Sequence, residues 1–211
     1  MMQYWLVIAV FAAAEAVTAA PPVITNDDDL KRVYEQGANL ISPYMELLDR
    51  QPALTAEDKA KVREGIVCMK AVTDYVPANW AAFWIAGKGY QALGEYEAAN
   101  KAFKDAFDVQ KQNPDVAREY AVSCLELGKG AEAVRVTLHA IELSPEDAGL
   151  YANLALAYLI DGKNEEASRA IAESLKRTPE DAISQTVKKT VDEVIAGKRP
   201  QPKKLKDLME E

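Results

Sequence analysis

The chain has 211 residues, of which 49% are hydrophobic and 27% charged, and its formal net charge at pH 7 is −8. Such a composition is typical of folded proteins and excludes a largely disordered chain. The negative charge argues against nucleic-acid backbones and anionic membranes as main partners. Aromatic residues make up only 8% of a chain rich in alanine, which favours closely packed helices over a β-sandwich.

The first predicted element is a signal peptide at residues 1–19. The apolar run from Trp5 to Ala14 is too short to span a bilayer comfortably, and small residues that suit a signal peptidase follow it. Cleavage is expected after Ala19, so the protein would be exported to the periplasm or beyond. However, no Lys or Arg precedes the run, and Glu15 lies near its end. An amphipathic or buried N-terminal helix, in a protein that stays in the cytoplasm, and a misassigned start codon are the alternatives.

Residues 20–79 are predicted to form an N-terminal helical hairpin that is a degenerate version of the units after it. A helix over 57–76 would be capped by Thr55, and its partner over 29–49 would have Asp29 as a possible cap and a kink at Pro43. The apolar positions of the second helix that we expect to point inward are Val62, Ile66, Met69 and Val72.

A spacing of 34 residues organises the next hundred residues, where Gly94, Gly128 and Gly162 recur in register. Other columns keep the same spacing. The residues four before each glycine, five after and twelve after are Tyr90, Cys124 and Tyr158, then Ala99, Ala133 and Ala167, then Ala106, Ala140 and Ser174. These columns indicate three internal repeats, at 80–113, 114–147 and 148–181.

Each repeat is predicted to consist of two helices separated by its glycine. In the third repeat Gly162 is expected in the left-handed conformation that ends a helix, with Asn164 as the N-cap of the next helix and Pro179 ending the unit. One hairpin of this size cannot bury both of its apolar faces, whereas stacked neighbours can.

The repeats resemble the tetratricopeptide repeat family, whose signature runs Trp-x2-Leu-Gly-x2-Tyr, then Ala-x3-Phe, then Pro. The third repeat carries Tyr151, Leu154, Tyr158, Ala167 and Pro179 at these positions. The first carries Phe83, Gly87, Tyr90, Ala99 and Phe103, although Lys111 stands where proline is usual. The middle repeat keeps Ala133 and Pro145. The resemblance covers about half of the chain and implies an all-α protein, a right-handed α-solenoid of helical hairpins.

The last predicted elements are a capping helix over 182–197 and a flexible tail over 198–211. The capping helix is expected to turn one apolar face inward and to be polar elsewhere, as the end of a solenoid must be. The residues of that face are Ile183, Val187, Val191 and Val194.

The resemblance also implies a concave groove, lined by the first helix of each repeat, that receives a peptide or partner segment. The residues expected to face it are Trp84, Lys88, Gln91, Asp115, Arg118, Val122, Ala152, Leu156 and Leu159. Trp84, flanked by Lys88 and Arg118, would suit an extended segment with an apolar anchor and acidic side chains. Two other elements could cover parts of this groove. The N-terminal hairpin could pack over Trp84, and we expect the capping helix to cover the apolar end of the groove.

No constellation of residues points to catalysis. His139 is the only histidine, and the two cysteines are expected to be buried free thiols. We therefore expect no metal, no cofactor and no small-molecule substrate, and a non-enzymatic protein-interaction scaffold. The alternatives are a cytoplasmic chaperone for secreted clients, a subunit of a membrane-associated assembly that touches the membrane through a retained segment 5–20, and an enzyme that needs an unrevealed cofactor.

Overall fold

The computed structural model describes residues 20–45 and 54–208. The predicted signal peptide and the last residues of the tail lie outside these ranges. Within them every regular element is a helix, and there is no strand. The α-helices are α1 (Asp27–Ile41), α2 (Ala56–Tyr75), α3 (Trp80–Ala92), α4 (Tyr96–Val109), α5 (Pro114–Glu126), α6 (Gly130–Leu143), α7 (Ala148–Ile160), α8 (Asn164–Arg177) and α9 (Ala182–Ile195).

Helices next to each other in the sequence pack as hairpins, and the hairpins stack into an α-solenoid. The pairs are α1 with α2, α3 with α4, α5 with α6 and α7 with α8. Each hairpin then contacts the next one, through α2 and α3, α4 and α5, and α6 and α7, and α9 covers the end at α7 and α8. The three predicted repeats therefore each hold one hairpin, and α9 occupies the place of the predicted capping helix.

The glycine between the helices of each repeat has the left-handed conformation that the spacing predicts. The φ angles of Gly94, Gly128 and Gly162 are +73°, +70° and +76°. The amide that follows each glycine bonds back to the last turn of the preceding helix, as Lys163 N does to Tyr158 O at 2.8 Å. This geometry closes a helix most cheaply when the residue has no Cβ.

Buried side chains form two clusters that meet at the first repeat. The N-terminal core cluster consists of buried residues of α1, α2 and α3 with Ala102 of α4, and the larger core cluster consists of buried residues of α4 to α9. Trp84 and Tyr90 pack against both clusters. The expected inward face of α2 is confirmed, because all four of its predicted residues are buried.

The predicted N-cap residue is observed for one helix and not for two others. Thr55 caps α2 as predicted, in a capping box with Asp58. Asn26, and not Asp29, caps α1, because the Asn26 side chain accepts from Asp29 N. Asn164 is the first residue of α8 and makes no cap; its amide donates to Gln201 at 3.0 Å.

The end of the chain departs from the sequence-based expectation at two points. Ile183, assigned to the inward face of the capping helix, is 71% exposed, whereas the other three residues of that face are buried. Ile183 is the second residue of α9. The tail, predicted to be flexible, is packed over residues 198–208, where a 3-10 helix at Leu205–Leu208 lies against α5. We call residues 198–208 the C-terminal segment.

Candidate functional site

The first helices of the repeats lie side by side and form one surface, which we call the concave face (α3, α5 and α7). Helix α5 packs against α7, and α7 against α9. Helices α3 and α5 are joined by two polar contacts, Lys88 with Glu119 and Gln91 with Glu126. The concave face is therefore a continuous layer in which charged and polar side chains of neighbouring repeats meet.

Trp84 is half-buried at the start of this face. It packs against the larger core cluster and also against the N-terminal core cluster. The side chain is therefore partly covered and partly accessible. Which of the two alternatives drawn from the sequence holds for Trp84 stays a prediction.

Lys88 is an ion-pairing residue within the fold and not a free cation of the groove. Its Nζ lies 2.7 Å from Glu119 Oε1 on α5, and 5.4 Å and 5.8 Å from the ring centroids of Trp84 and Phe103. A cation over aromatic faces is attracted by their ring quadrupoles. Lys88 therefore links the first and second repeats and also covers Trp84.

Arg118 is likewise neutralised within the fold. It bonds Asp115 at 3.0 Å and also pairs with Asp147 of the next hairpin. Asp147 in turn caps α7 by accepting from Gly149 N at 2.9 Å. Lys88 thus bridges the first repeat to the second, and Arg118 bridges α5 to the N-cap of α7.

Three of the nine predicted groove residues are buried, contrary to the expectation that they would be exposed. Gln91 donates to Glu126 at 3.1 Å, and Ala152 and Leu159 belong to the larger core cluster. The backbone oxygen of Leu159 accepts from Gln201 of the C-terminal segment. One step around a helix is only 100°, so a position beside the core is easily covered when a further element packs on it.

The other six predicted residues keep some exposure. Asp115 is exposed, and Trp84, Lys88 and Arg118 are half-buried. Val122 and Leu156 are also half-buried, and Leu156 packs against the larger core cluster. That these residues contact a partner stays a prediction.

Glu126 is a residue of this face that the sequence analysis missed. Its Oε1 accepts from Gln91, and its Oε2 is buried without a hydrogen-bond partner. Burial raises the pKa of this carboxyl from 4.5 to about 7, although the Gln91 hydrogen bond and the charge of Lys88 act in the opposite direction. A signal existed in the sequence, because Glu126 occupies the repeat column held by Ala92 and Ile160.

Carboxylates outnumber basic groups among the charged side chains of this face. Lys88 and Arg118 are opposed by three acidic groups with which they pair, and Glu126 adds a fourth. An acidic partner segment would therefore meet no unpaired cation among these residues. The sequence-based expectation of acidic side chains in the partner is not supported by this arrangement.

The described residues offer little for metal or thiol chemistry. No group of three or more His, Cys, Asp and Glu side chains among them could hold a metal ion. His139 Nε2 lies 2.8 Å from Lys111 O and its ring packs edge-on to Phe107. Cys68 and Cys124 are free and buried, and burial raises the pKa of both thiols.

None of the helices in the described part of the chain is long and apolar enough to cross a membrane. The longest of them, α2, carries charged residues along its exposed side, including Lys61 and Glu64.

Comparisons with known proteins agree with the architecture. A family model described as YpiA-like, C-terminal tetratricopeptide repeats matches residues 81–147, and one described as Tetratricopeptide repeat matches residues 136–167. No curated protein matches the sequence.

Several solved structures are similar to the chain. YrrB, described as a tetratricopeptide repeat protein with an unusual peptide-binding site, is 18% identical with a TM-score of 0.60, over 82% of this chain and 80% of that chain. MamA is 18% identical with a TM-score of 0.59, over 74% and 92%. The first tetratricopeptide repeat domain of Spaghetti (RPAP3), bound to the HSP90 peptide SRMEEVD, is 20% identical with a TM-score of 0.51, over 56% and 93%. At these identities the similarity shows the fold.

Proposed function

Because the chain is a tetratricopeptide repeat protein, we propose that it is a non-enzymatic interaction scaffold that binds a segment of a partner protein on its concave face. The observation that carries the proposal is the half-exposed indole of Trp84 beside the Lys88–Glu119 ion pair. A large aromatic ring surrounded by polar groups is the usual composition of an interface hot spot.

Two of the similar structures support a peptide-binding role for the protein. YrrB is described as having a peptide-binding site, and the RPAP3 domain was solved with a bound peptide. Folds of this kind differ in their surface side chains, so the partner of each must be inferred from its own residues.

The charges of the concave face favour a partner with basic side chains and an apolar anchor. Carboxylates exceed basic groups there, and the protein as a whole has a formal net charge of −8. Complementary charge speeds association and discourages wrong partners. The apolar anchor would occupy the surface beside Trp84.

Trp84→Ala tests the proposal. The partner is first captured from a cell extract on the immobilised wild-type protein, identified by mass spectrometry, and its binding is then measured by calorimetry. We expect the substitution to weaken binding by about 2 kcal/mol, roughly thirtyfold in Kd.

The matched control is Phe83→Ala, the preceding residue on α3. Phe83 is also half-buried against the larger core cluster, but it faces the groove between α2 and α4 and not the concave face. It should reduce thermal stability and leave partner binding unchanged. If folded Trp84→Ala protein bound the partner as tightly as wild type, the concave face would not be the binding site.

We also propose that the protein is exported, on the evidence of its N-terminal sequence. Protein recovered from the periplasm or the medium should begin at Ala20 or Pro21 when its N-terminus is sequenced. Recovery of the chain solely from the cytosol, with Met1 intact or with only Met1 removed, would contradict export.

A further inference from the structure

The C-terminal segment lies back over the third repeat. After α9, Gly197 has a φ of +68° and the chain reverses its direction. The side-chain amide of Gln201 then donates to the backbone oxygen of Leu159, at the end of α7. It also accepts from Asn164 Nδ2 at 3.0 Å, at the start of α8. Both contacts lie beside the turn between the two helices of that repeat.

The segment continues to the equivalent turn of the second repeat. The carbonyl group of Lys203 occupies the space beside Gly128 that a Cβ atom would fill, closer than side chains are found to approach. Pro202 is buried at the same place. The second repeat can accept this close approach because its turn residue has no side chain.

Two leucines anchor the end of the segment. Leu205 and Leu208 are half-buried and pack against the larger core cluster, and their 3-10 helix lies against α5. The Asp207 carboxylate accepts from the backbone amides of Lys203 and Lys204, at 2.8 Å and 3.2 Å, and so holds the turn before this helix. An apolar pair, a buried proline and side-chain hydrogen bonds thus hold the C-terminal segment against the second and third repeats.

The charge of the segment is opposite to that of the protein. Residues 198–208 include five basic residues and one acidic residue, whereas the whole chain has a formal net charge of −8. Its chemistry is therefore that of a basic peptide with prolines and with leucines three residues apart, placed on an acidic repeat array.

We infer that the C-terminal segment is an internal competitor for one part of the concave face, formed by α5, the end of α7 and the turns that follow these helices. The partner competing with it is a basic segment with an apolar pair at the spacing of Leu205 and Leu208. The inference rests on the proposed function in one respect, namely that a partner uses the concave face. An internal segment that fills a site lowers the apparent affinity of that site for an external ligand. The ligand can bind only during the fraction of time that the site is free. Release of the segment would therefore open the second and third repeats to the partner.

The test uses a fluorescently labelled peptide with the sequence of residues 199–208, RPQPKKLKDL, and full-length protein. Fluorescence anisotropy measures its binding in trans. Wild-type protein should bind the peptide weakly, because its own segment fills the site. The double variant Leu205→Asp/Leu208→Asp releases that segment and should bind the peptide at least tenfold more tightly. A peptide of the same composition in scrambled order should not bind.

Two glycine variants in the double-variant background locate the site. Gly128→Ala places a methyl group where the peptide's equivalent of Lys203 must lie, and should abolish binding. Gly94→Ala is the matched control: its φ of +73° is close to the +70° of Gly128, and nothing lies within 4 Å of its added Cβ. Both substitutions place alanine at a similar positive φ, so they should destabilise the backbone equally. A difference in peptide affinity between the two variants therefore reports a peptide bound beside Gly128.

Circular dichroism checks that each variant is folded. If the double variant is unfolded, Gln201→Ala removes two hydrogen bonds of the segment without touching the core, and should increase peptide affinity severalfold. The inference is overturned if wild type and the released variant bind the peptide equally, if neither binds it, or if Gly128→Ala and Gly94→Ala bind it alike. These outcomes leave the Trp84 experiment unaffected, since that experiment measures a captured partner and not this peptide.

Discussion

Lys88 of the first repeat and Glu119 of the second form an ion pair with 2.7 Å between Nζ and Oε1, and their side chains are only 17% and 23% exposed. Most of the exposed ion pairs among the described residues join residues three or four apart on one helix, as Lys70 and Asp74 do. The pair of Lys88 and Glu119 instead links two repeats. Because both groups have lost much of their water, removal of one leaves the other with a desolvation cost that nothing offsets.

We predict that Lys88→Met lowers the free energy of unfolding by about 1–3 kcal/mol, since it leaves Glu119 unpaired in a partly buried site. Replacing both residues, as Lys88→Met/Glu119→Met, should recover much of the loss. Lys70→Met is the control, because Lys70 and Asp74 are 70% and 66% exposed; it should change stability by less than about 1 kcal/mol. Urea denaturation measures all three, and equal effects of the two single substitutions would refute the prediction.

Glu126 should make stability depend on pH. Burial raises the pKa of its carboxyl in the folded protein from 4.5 to about 7. Between these values the folded protein retains a proton that the unfolded chain has released, so the free energy of unfolding falls as the pH rises from 4.5 to 7. Below this window the contribution is fully present, and above it the contribution is lost.

Glu126→Gln should remove this part of the pH dependence. Above pH 7 the variant should be more stable than wild type by roughly 1–2 kcal/mol, a figure reduced from the full linkage value because the side chain is not fully enclosed. Glu142→Gln removes the same charge at an exposed position of α6 and should leave the profile unchanged. Thermal melts at pH 4 to 8 provide the measurement, and parallel profiles for wild type and Glu126→Gln would contradict the assignment.

The turn glycine of the third repeat should tolerate no branched side chain. Gly162 has a φ of +76°, and an added Cβ would meet nothing within 4 Å. The cost of Gly162→Val is therefore a backbone cost, and we expect a loss of about 1 kcal/mol or more in the free energy of unfolding. Ala196→Val introduces the same side chain at an exposed turn position with a φ of −76°. A loss at Ala196 as large as that at Gly162 would show that positive φ is not the cause.

Gly87 should resist substitution for a different reason. A Cβ on Gly87 would lie 2.7 Å from the ring of Phe103, where α3 crosses α4. Gly87→Ala should therefore cost about 1–3 kcal/mol through overpacking. Phe103→Leu reduces the bulk of the facing side chain, so the double variant should lose less stability than the sum of the two single variants. Strict additivity in denaturant melts would mean that the two residues do not crowd each other.

Local sequence patterns determined the repeated part of the fold. The 34-residue columns located the hairpins, and the need for positive φ identified the turn glycines, because both depend on residues close together in the chain. The sequence was less informative about which side chains of the concave face are free to contact a partner. Lys88 and Arg118 were correctly placed on the first helices, but their acidic partners lie on the following hairpins, and one helix face alone does not reveal such pairing.

The sequence by itself determined a helical repeat protein, its register and the helices that form the concave face, because periodic apolar positions and glycine turns act within each unit. Only the tertiary structure decided what covers that face. Gln91 is hydrogen-bonded to Glu126 of the next hairpin, and Gln201 of the C-terminal segment donates to the backbone oxygen of Leu159. The segment is polar and rich in lysine and proline, so its composition resembles that of a flexible tail. It becomes ordered through two leucines, a buried proline and the space beside Gly128, and these contacts exist only when the repeats have stacked.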